Sequence, residues 1–204
     1  MADQTYDQMT RNPEEYDGPP ELAPQKVLTK EEIEQRKSIE TDESKNFYVL
    51  ISGSKTVKSE EQINLVNTLL DDVFANHVLN DNIENIIIVG GAEEGIDTVA
   101  KSYGESHNYI VKPFIAEWAI YGGEAGLIRN EKMHEFIATK PNRLCICFKD
   151  SKSHGTGTQH SADLAKKFQT NTIFFNLDEL NYTKAEYLGR KSRIYKKKDY
   201  YGVI

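Results

Sequence analysis

The run Ile86-Ile87-Ile88-Val89 ends on Gly90-Gly91 and reaches a helix start at Ile96-Asp97 a few residues later. A short, wholly apolar run of this kind is a strand buried on both faces. The glycines let the backbone turn sharply and leave its N–H groups open at the positive end of a helix dipole, where an anion is favoured. Two further strand-to-glycine units flank it: Val49-Leu50-Ile51-Ser52-Gly53-Ser54, and the stretch leading into Gly155-Thr156-Gly157-Thr158. Three such units in one small domain point to a site for a phosphate-bearing ligand.

Around them, apolar runs and helical periods alternate. Strands are expected at 47–51, 86–89, 108–114, 144–148 and 172–175. Helices are expected from Ser59 through Phe74, from Ile96 through Tyr103, over 125–138, and over 162–168. A loop through Trp118, Tyr121 and Gly122-Gly123 joins the third strand to its helix. The pattern is that of an α/β chain: a Rossmann-like, doubly wound, mostly parallel five-stranded sheet with helices on both faces. In such sheets ligands bind beyond the carboxyl ends of the strands, where all three glycine turns gather.

Charge divides the chain. Residues 1–44 hold 12 acidic and 5 basic residues, while residues 45–204 carry 20 of each sign, so the formal charge of -7 sits in the leader. Four of the six prolines also lie there, and an acidic segment with few large apolar residues is expected to be disordered apart from a helix over 30–40 that opens at Thr29-Lys30-Glu31-Glu32. The leader offers itself to a protein partner. From Asn181 the chain turns basic, with 7 Lys/Arg against one Glu over 184–198. The expected division is therefore 1–44 acidic leader, 45–180 ligand-binding domain and 181–204 basic extension. A neutral body between opposite tails is not the profile of a nucleic-acid-binding protein. No secretory signal or membrane-length apolar run is present, so a cytoplasmic protein with no membrane contact is expected. Cys145 and Cys147 read as buried thiols on opposite faces of the fourth strand, without a disulfide, and no metal or cofactor is expected.

The turns differ in what they offer. Gly53 allows close approach, Ser54 brings a hydroxyl and Lys55 a cation. The Gly90-Gly91 turn matches neither G-x-G-x-x-G nor the P-loop pattern. Asp97 either caps the following helix or accepts from a ribose, and Glu93 and Glu94 are expected to face solvent, away from a phosphate. Gly155, Thr156, Gly157 and Thr158 combine two hydroxyls with permissive backbone, flanked by solvent-exposed His154 and His160. In the segment from Trp118 to Met133, Arg129 supplies a planar fork for phosphate, Asn130 can read a base or sugar edge, and Trp118 can stack on a base. The alternative is that Trp118 is core and Arg129 pairs with a carboxylate.

The order Gly53-Ser54, Gly90-Gly91-Ala92 with Gly95-Ile96-Asp97, Trp118, Gly122, Ala125-Gly126, Ile128-Arg129-Asn130, Met133 and Gly155–Thr158 resembles the SLOG superfamily, in particular its small bacterial and phage branch related to YspA and YpsA. The match covers about residues 46–176. The resemblance implies a Rossmann-like domain that binds nucleotides or nucleotide-derived ligands, in a superfamily that also holds DprA-like, nucleotide-sensing and LOG phosphoribohydrolase members. LOG enzymes carry a glutamate three residues after the Gly-Thr of G-G-x-G-T-x-x-E. Here Gln159, His160 and Ser161 follow Gly157-Thr158, so Ser161 stands in the glutamate's place. Binding or sensing is thus the leading expectation, with self-association allowed. The alternatives are N-glycoside hydrolysis, using Asp97, Glu94 or Glu124 as the missing carboxylate, and an interaction protein acting through its tails.

Overall fold

The computed structural model describes residues 42–79 and 81–178. Residues 1–41 of the leader, with the helix expected over 30–40, and the basic extension from Asn181 lie outside the described residues. Five strands form one sheet: β1 (Asn46–Gly53), β2 (Asn85–Gly91), β3 (Ile110–Phe114), β4 (Arg143–Lys149) and β5 (Thr172–Asn176). Their order is β3-β2-β1-β4-β5, and every neighbouring pair is parallel. The helices are α1 (Glu60–Val73), α2 (Ile96–Ser106), a single turn α3 (Trp118–Tyr121), α4 (Ala125–Ala138) and α5 (Gly157–Lys167).

The period-two alternation of each strand sorts its residues between two cores. Val49 and Ile51 of β1 pack with Ile86, Ile88, Ile146 and Phe148 beneath Val66, Leu69 and Val73 of α1 and Ile96 and Val99 of α2. Tyr48 and Leu50 face the other way, with Ile87, Val89, Met133 and Ile137 of α4 and Ala162 and Ala165 of α5. Helices therefore cover both faces, and the Rossmann-like architecture expected from the sequence is the observed one. Ser59 starts α1 by accepting from the Gln62 N–H at 3.3 Å, leaving one fewer orphan donor at that end.

Three expectations are corrected. Residues two apart on a strand share a face, so Cys145 and Cys147 both enter the second core with their sulfurs 3.7 Å apart. The connection at Trp118 forms the α3 turn rather than a loop. The last helix begins at Gly157, not 162: its first bond runs from the His160 N–H to the Thr156 carbonyl at 2.8 Å, with glycine and threonine in its first turn and no side-chain cap.

Order β3-β2-β1-β4-β5 means that the chain leaves β1 toward one edge and later returns to build the other edge from β4. The connections after β1 and β4 thus diverge, and a crevice opens between them at the carboxyl ends.

Candidate functional site

At the end of β1, Gly53 is required by packing. A Cβ there would lie 2.6 Å from the Phe148 carbonyl oxygen and 2.5 Å from Ile96 Cγ1. Ser54 is buried and fastens three elements. Its N–H donates to Phe148 O at 2.9 Å, its carbonyl accepts from Ile96 N–H at 3.2 Å, and its Oγ accepts from Asp150 N–H at 3.0 Å. The Asp150 carboxylate, also buried, accepts from Thr56 Oγ1 at 2.7 Å and from Ser153 N–H at 3.0 Å. The loops after β1 and β4 are locked to each other through one serine and one aspartate.

The turn after β2 is equally constrained. Gly95 has φ of +77°, and a Cβ would meet Ser54 O at 2.3 Å. At Gly91 a Cβ would fall 1.7 Å from Arg129 Nη1 and 2.2 Å from Asp97 Oδ2, so the bare backbone makes room for that pair. Gly90 meets only Ile51 O at 3.6 Å, an ordinary contact. Asp97 accepts from Glu93 N–H at 3.4 Å and lies 3.5 Å from Arg129 Nη1. Burial pushes its carboxyl up to about 6, against the pull of the Arg129 charge.

Glu93 does not face solvent as expected. Its half-buried carboxylate accepts from Lys55 Nζ at 2.9 Å and from Trp118 Nε1 at 3.2 Å. Burial raises this carboxyl, but the Lys55 hydrogen bond and charge, with Arg129 and Trp118, outweigh it and hold it below the usual carboxylate value. Glu94 is exposed, beside Lys58 at 2.5 Å. The expectation for Glu93 missed a cation that only the fold brings to it.

Arg129 and Asn130 open the second turn of α4. Arg129 Nε donates to Asn130 Oδ1 at 3.0 Å, and Asn130 Nδ2 donates to Gly157 O at 3.2 Å. Asn130 is buried, and both ends of its amide are engaged. It orients the guanidinium and ties it to the start of α5, which differs from reading a base edge. The Nη2 donors of Arg129 make no hydrogen bond among the described residues. No side chain caps the N-terminus of α5.

A cleft of about 280 Å³ lies between these walls. Of the residues singled out from sequence, Gly53, Asp97, Arg129, Asn130, Gly155, Gly157 and Thr158 line it. Ser54, Gly90 and Gly91 sit behind its walls, Thr156 is exposed outside the lining, and Trp118 stands at the rim through its bond to Glu93. Sequence reasoning left out Ser52, Thr56, Lys152 and Ser153, and gave His154 no role; all line the cleft, as do Lys55 and Glu93. The signal for the β4 side was the polar run Asp150-Ser151-Lys152-Ser153-His154 following a buried strand. His154 is exposed as expected, whereas His160 is half-buried. Ser161 is fully buried and its Oγ lies 2.8 Å from His134 Nε2, so it reaches a core histidine and not the cleft.

Among the described residues no group of three or more His, Cys, Asp or Glu side chains could hold a metal ion, and no helix is long and apolar enough to cross a membrane.

No family model matches this sequence, and no curated protein matches it. Among solved structures, the chain is similar to the DNA processing protein A (DprA) of Streptococcus pneumoniae, with 14% identity and a TM-score of 0.43. The match covers 65% of this chain and 51% of that one, so this chain spans about half the length of that protein. What the coordinates establish is a Rossmann-like α/β domain with a charged cleft at the point where its strand order reverses.

Proposed function

We propose that this domain binds a nucleotide or nucleotide-derived small molecule, with the ligand's phosphate against the first turn of α5 and Arg129. The observation that carries the reading is the freedom around Gly155 and Gly157. A Cβ at Gly157 would meet nothing within 4 Å, and one at Gly155 only Ser153 Oγ at 3.9 Å; neither has a positive φ. Packing and backbone geometry do not call for glycine at either position, and at Gly157, the first helical residue, glycine is unfavourable relative to alanine by up to about 1 kcal/mol. Two bare backbone positions in a cleft wall, beside an uncapped helix start, suit the close approach of an anion. Arg129 supplies unpaired donors, and Lys152 makes no ion pair among the described residues. The SLOG resemblance, and within it the YspA- and YpsA-related branch, supports the same reading.

Isothermal titration against nucleoside monophosphates, ADP-ribose and cyclic dinucleotides tests it. Saturable binding that Arg129→Ala weakens at least about tenfold, or about 1.4 kcal/mol, is expected. A folded protein that binds none of them contradicts it.

Asp97 favours a second reading, N-glycoside hydrolysis. Its carboxyl lines the cleft beside Arg129 and titrates at about 6, where it can hand a proton to a departing base or take one from the attacking water. Water would add across the bond between sugar carbon and base nitrogen, releasing free base and sugar phosphate. Base release abolished in Asp97→Asn supports this reading; release at background in the wild type removes it.

A further inference from the structure

Trp118 is nearly half exposed, at 47%, yet its ring is held in place. The indole Nε1 donates to Glu93 Oε1 at 3.2 Å, and Glu93 is itself part of the cleft wall. On its other edge the ring lies against Gly126, where a Cβ would come to 3.5 Å from Cη2. Over its face stands the Lys55 ammonium, 5.5 Å from the ring centre. Lys55 also belongs to the cleft wall and holds the other side of the Glu93 carboxylate at 2.9 Å. A large indole fixed in orientation at a cleft rim, with the Lys55 ammonium over its face, leaves apolar surface in water that the fold alone does not explain.

We infer that the site is bipartite and that Trp118 is a stacking platform for the flat, heteroaromatic part of the ligand. This rests on the cleft reading above. The sugar and phosphate occupy the space between Arg129, Asp97 and the α5 turn. The base leaves that space over Glu93 and settles on the indole, displacing the Lys55 ammonium from the ring face.

Two consequences follow from the chemistry of the platform. Stacking needs only a π-face, so selectivity among bases is loose and favours the larger purines. The sugar phosphate, held by directed donors, is the part that is read strictly. Glu93 also changes role, because when Lys55 moves its carboxylate keeps the indole N–H and gains freedom to accept from the ligand.

Trp118 is the single tryptophan of the chain, so its emission reports this platform alone. The full-length protein is titrated with adenosine 5′-monophosphate and with ribose 5-phosphate, following emission and, separately, heat. The mononucleotide is expected to bind tighter than the sugar phosphate by on the order of 10- to 100-fold, the usual worth of one stacked base, and to quench the emission. Trp118→Ala is expected to bring the two affinities together by weakening the mononucleotide, and Trp118→Phe to restore much of the difference. Equal affinities in the wild type, or a mononucleotide advantage that survives Trp118→Ala, overturns the platform while leaving the cleft reading standing. Binding of neither probe overturns the platform, and the cleft reading falls with it when ADP-ribose and the cyclic dinucleotides also fail to bind.

Discussion

The three glycine turns look alike in sequence and differ in physical cause. At the first two, Gly53, Gly91 and Gly95 are demanded by neighbours closer than 3 Å or by a positive φ. At the third, Gly155 and Gly157 have open space around them. Gly53, Gly91 and Gly95 are glycine where the fold crowds them, and in these two turns Gly90 alone meets no more than an ordinary contact. The third is glycine with no such pressure, and it borders the unpaired donors of Arg129 and the uncapped end of α5. Packing turns build the frame, and the open turn is the one that the proposal gives to a ligand.

The largest expected effect is on the frame. Gly53→Ala pushes a methyl group into a backbone carbonyl that cannot swing aside, and about 3 kcal/mol of stability should be lost, read as a lower denaturant midpoint with unchanged slope. An unaltered midpoint would show that β1 and β4 can separate at their ends and would blur the distinction between the turns.

A comparable effect should appear with pH, with opposite signs at a core histidine and at the cleft carboxylate. His134, buried under α5, has its imidazole pushed down to about 4, chiefly by burial and then by the nearby His160. Its neutral form is favoured in the fold, so stability is lost as pH falls from about 6.5 to 4. Asp97, in the packed wall, titrates at about 6, so its protonated form is favoured and stability is gained as pH falls from about 6 to 3.8. Each contributes up to about 3 kcal/mol over its window, and in the wild type they largely offset each other. Relative to wild type, Asp97→Asn should therefore steepen the acid loss, and His134→Gln should flatten it. Denaturant midpoints at pH 7, 5.5 and 4 measure both; parallel profiles for all three proteins would contradict the assignment.

Gly91→Ala should have a smaller and more selective effect. The new methyl meets only the ends of Arg129 and Asp97, which can shift, so about 1 kcal/mol of stability is lost. Ligand affinity should fall about as much as in Arg129→Ala, because the same guanidinium is misplaced. Full affinity in Gly91→Ala would mean that the Arg129–Asp97 pair does not need its observed position.

Much of this arrangement could be read from the chain. Ile86–Val89 and Leu144–Phe148 are continuous apolar runs that only a doubly covered strand accommodates, and their alternation with Val66, Leu70 and Val73 at helical spacing specifies the layers. The candidate cleft was legible where one residue type suggests its own chemistry, as at Arg129, which lines it. Roles that depend on a distant partner were not. Glu93 turns inward because Lys55 and the Trp118 indole meet it, 38 and 25 residues away in sequence. Asn130 is drawn into orienting Arg129 because Gly157 O lies within reach. The α5 start was hidden because glycine at a first helical turn carries no helix signal. No local pattern separates a crowded glycine from an open one, since the distinction lies in Phe148 O and Ile96 Cγ1 on other elements.

The smallest expected change in stability gives the most direct test. In Gly157→Ala, denaturant stability and calorimetric affinity for adenosine 5′-monophosphate are measured on the same preparation. Stability should be unchanged or raised by up to about 1 kcal/mol, since alanine suits a helix and nothing obstructs its methyl. Affinity should fall at least about tenfold as that methyl takes the place of the ligand. Undiminished affinity, or a loss of stability like that of Gly53→Ala, would contradict the claim that the third turn is open for a ligand.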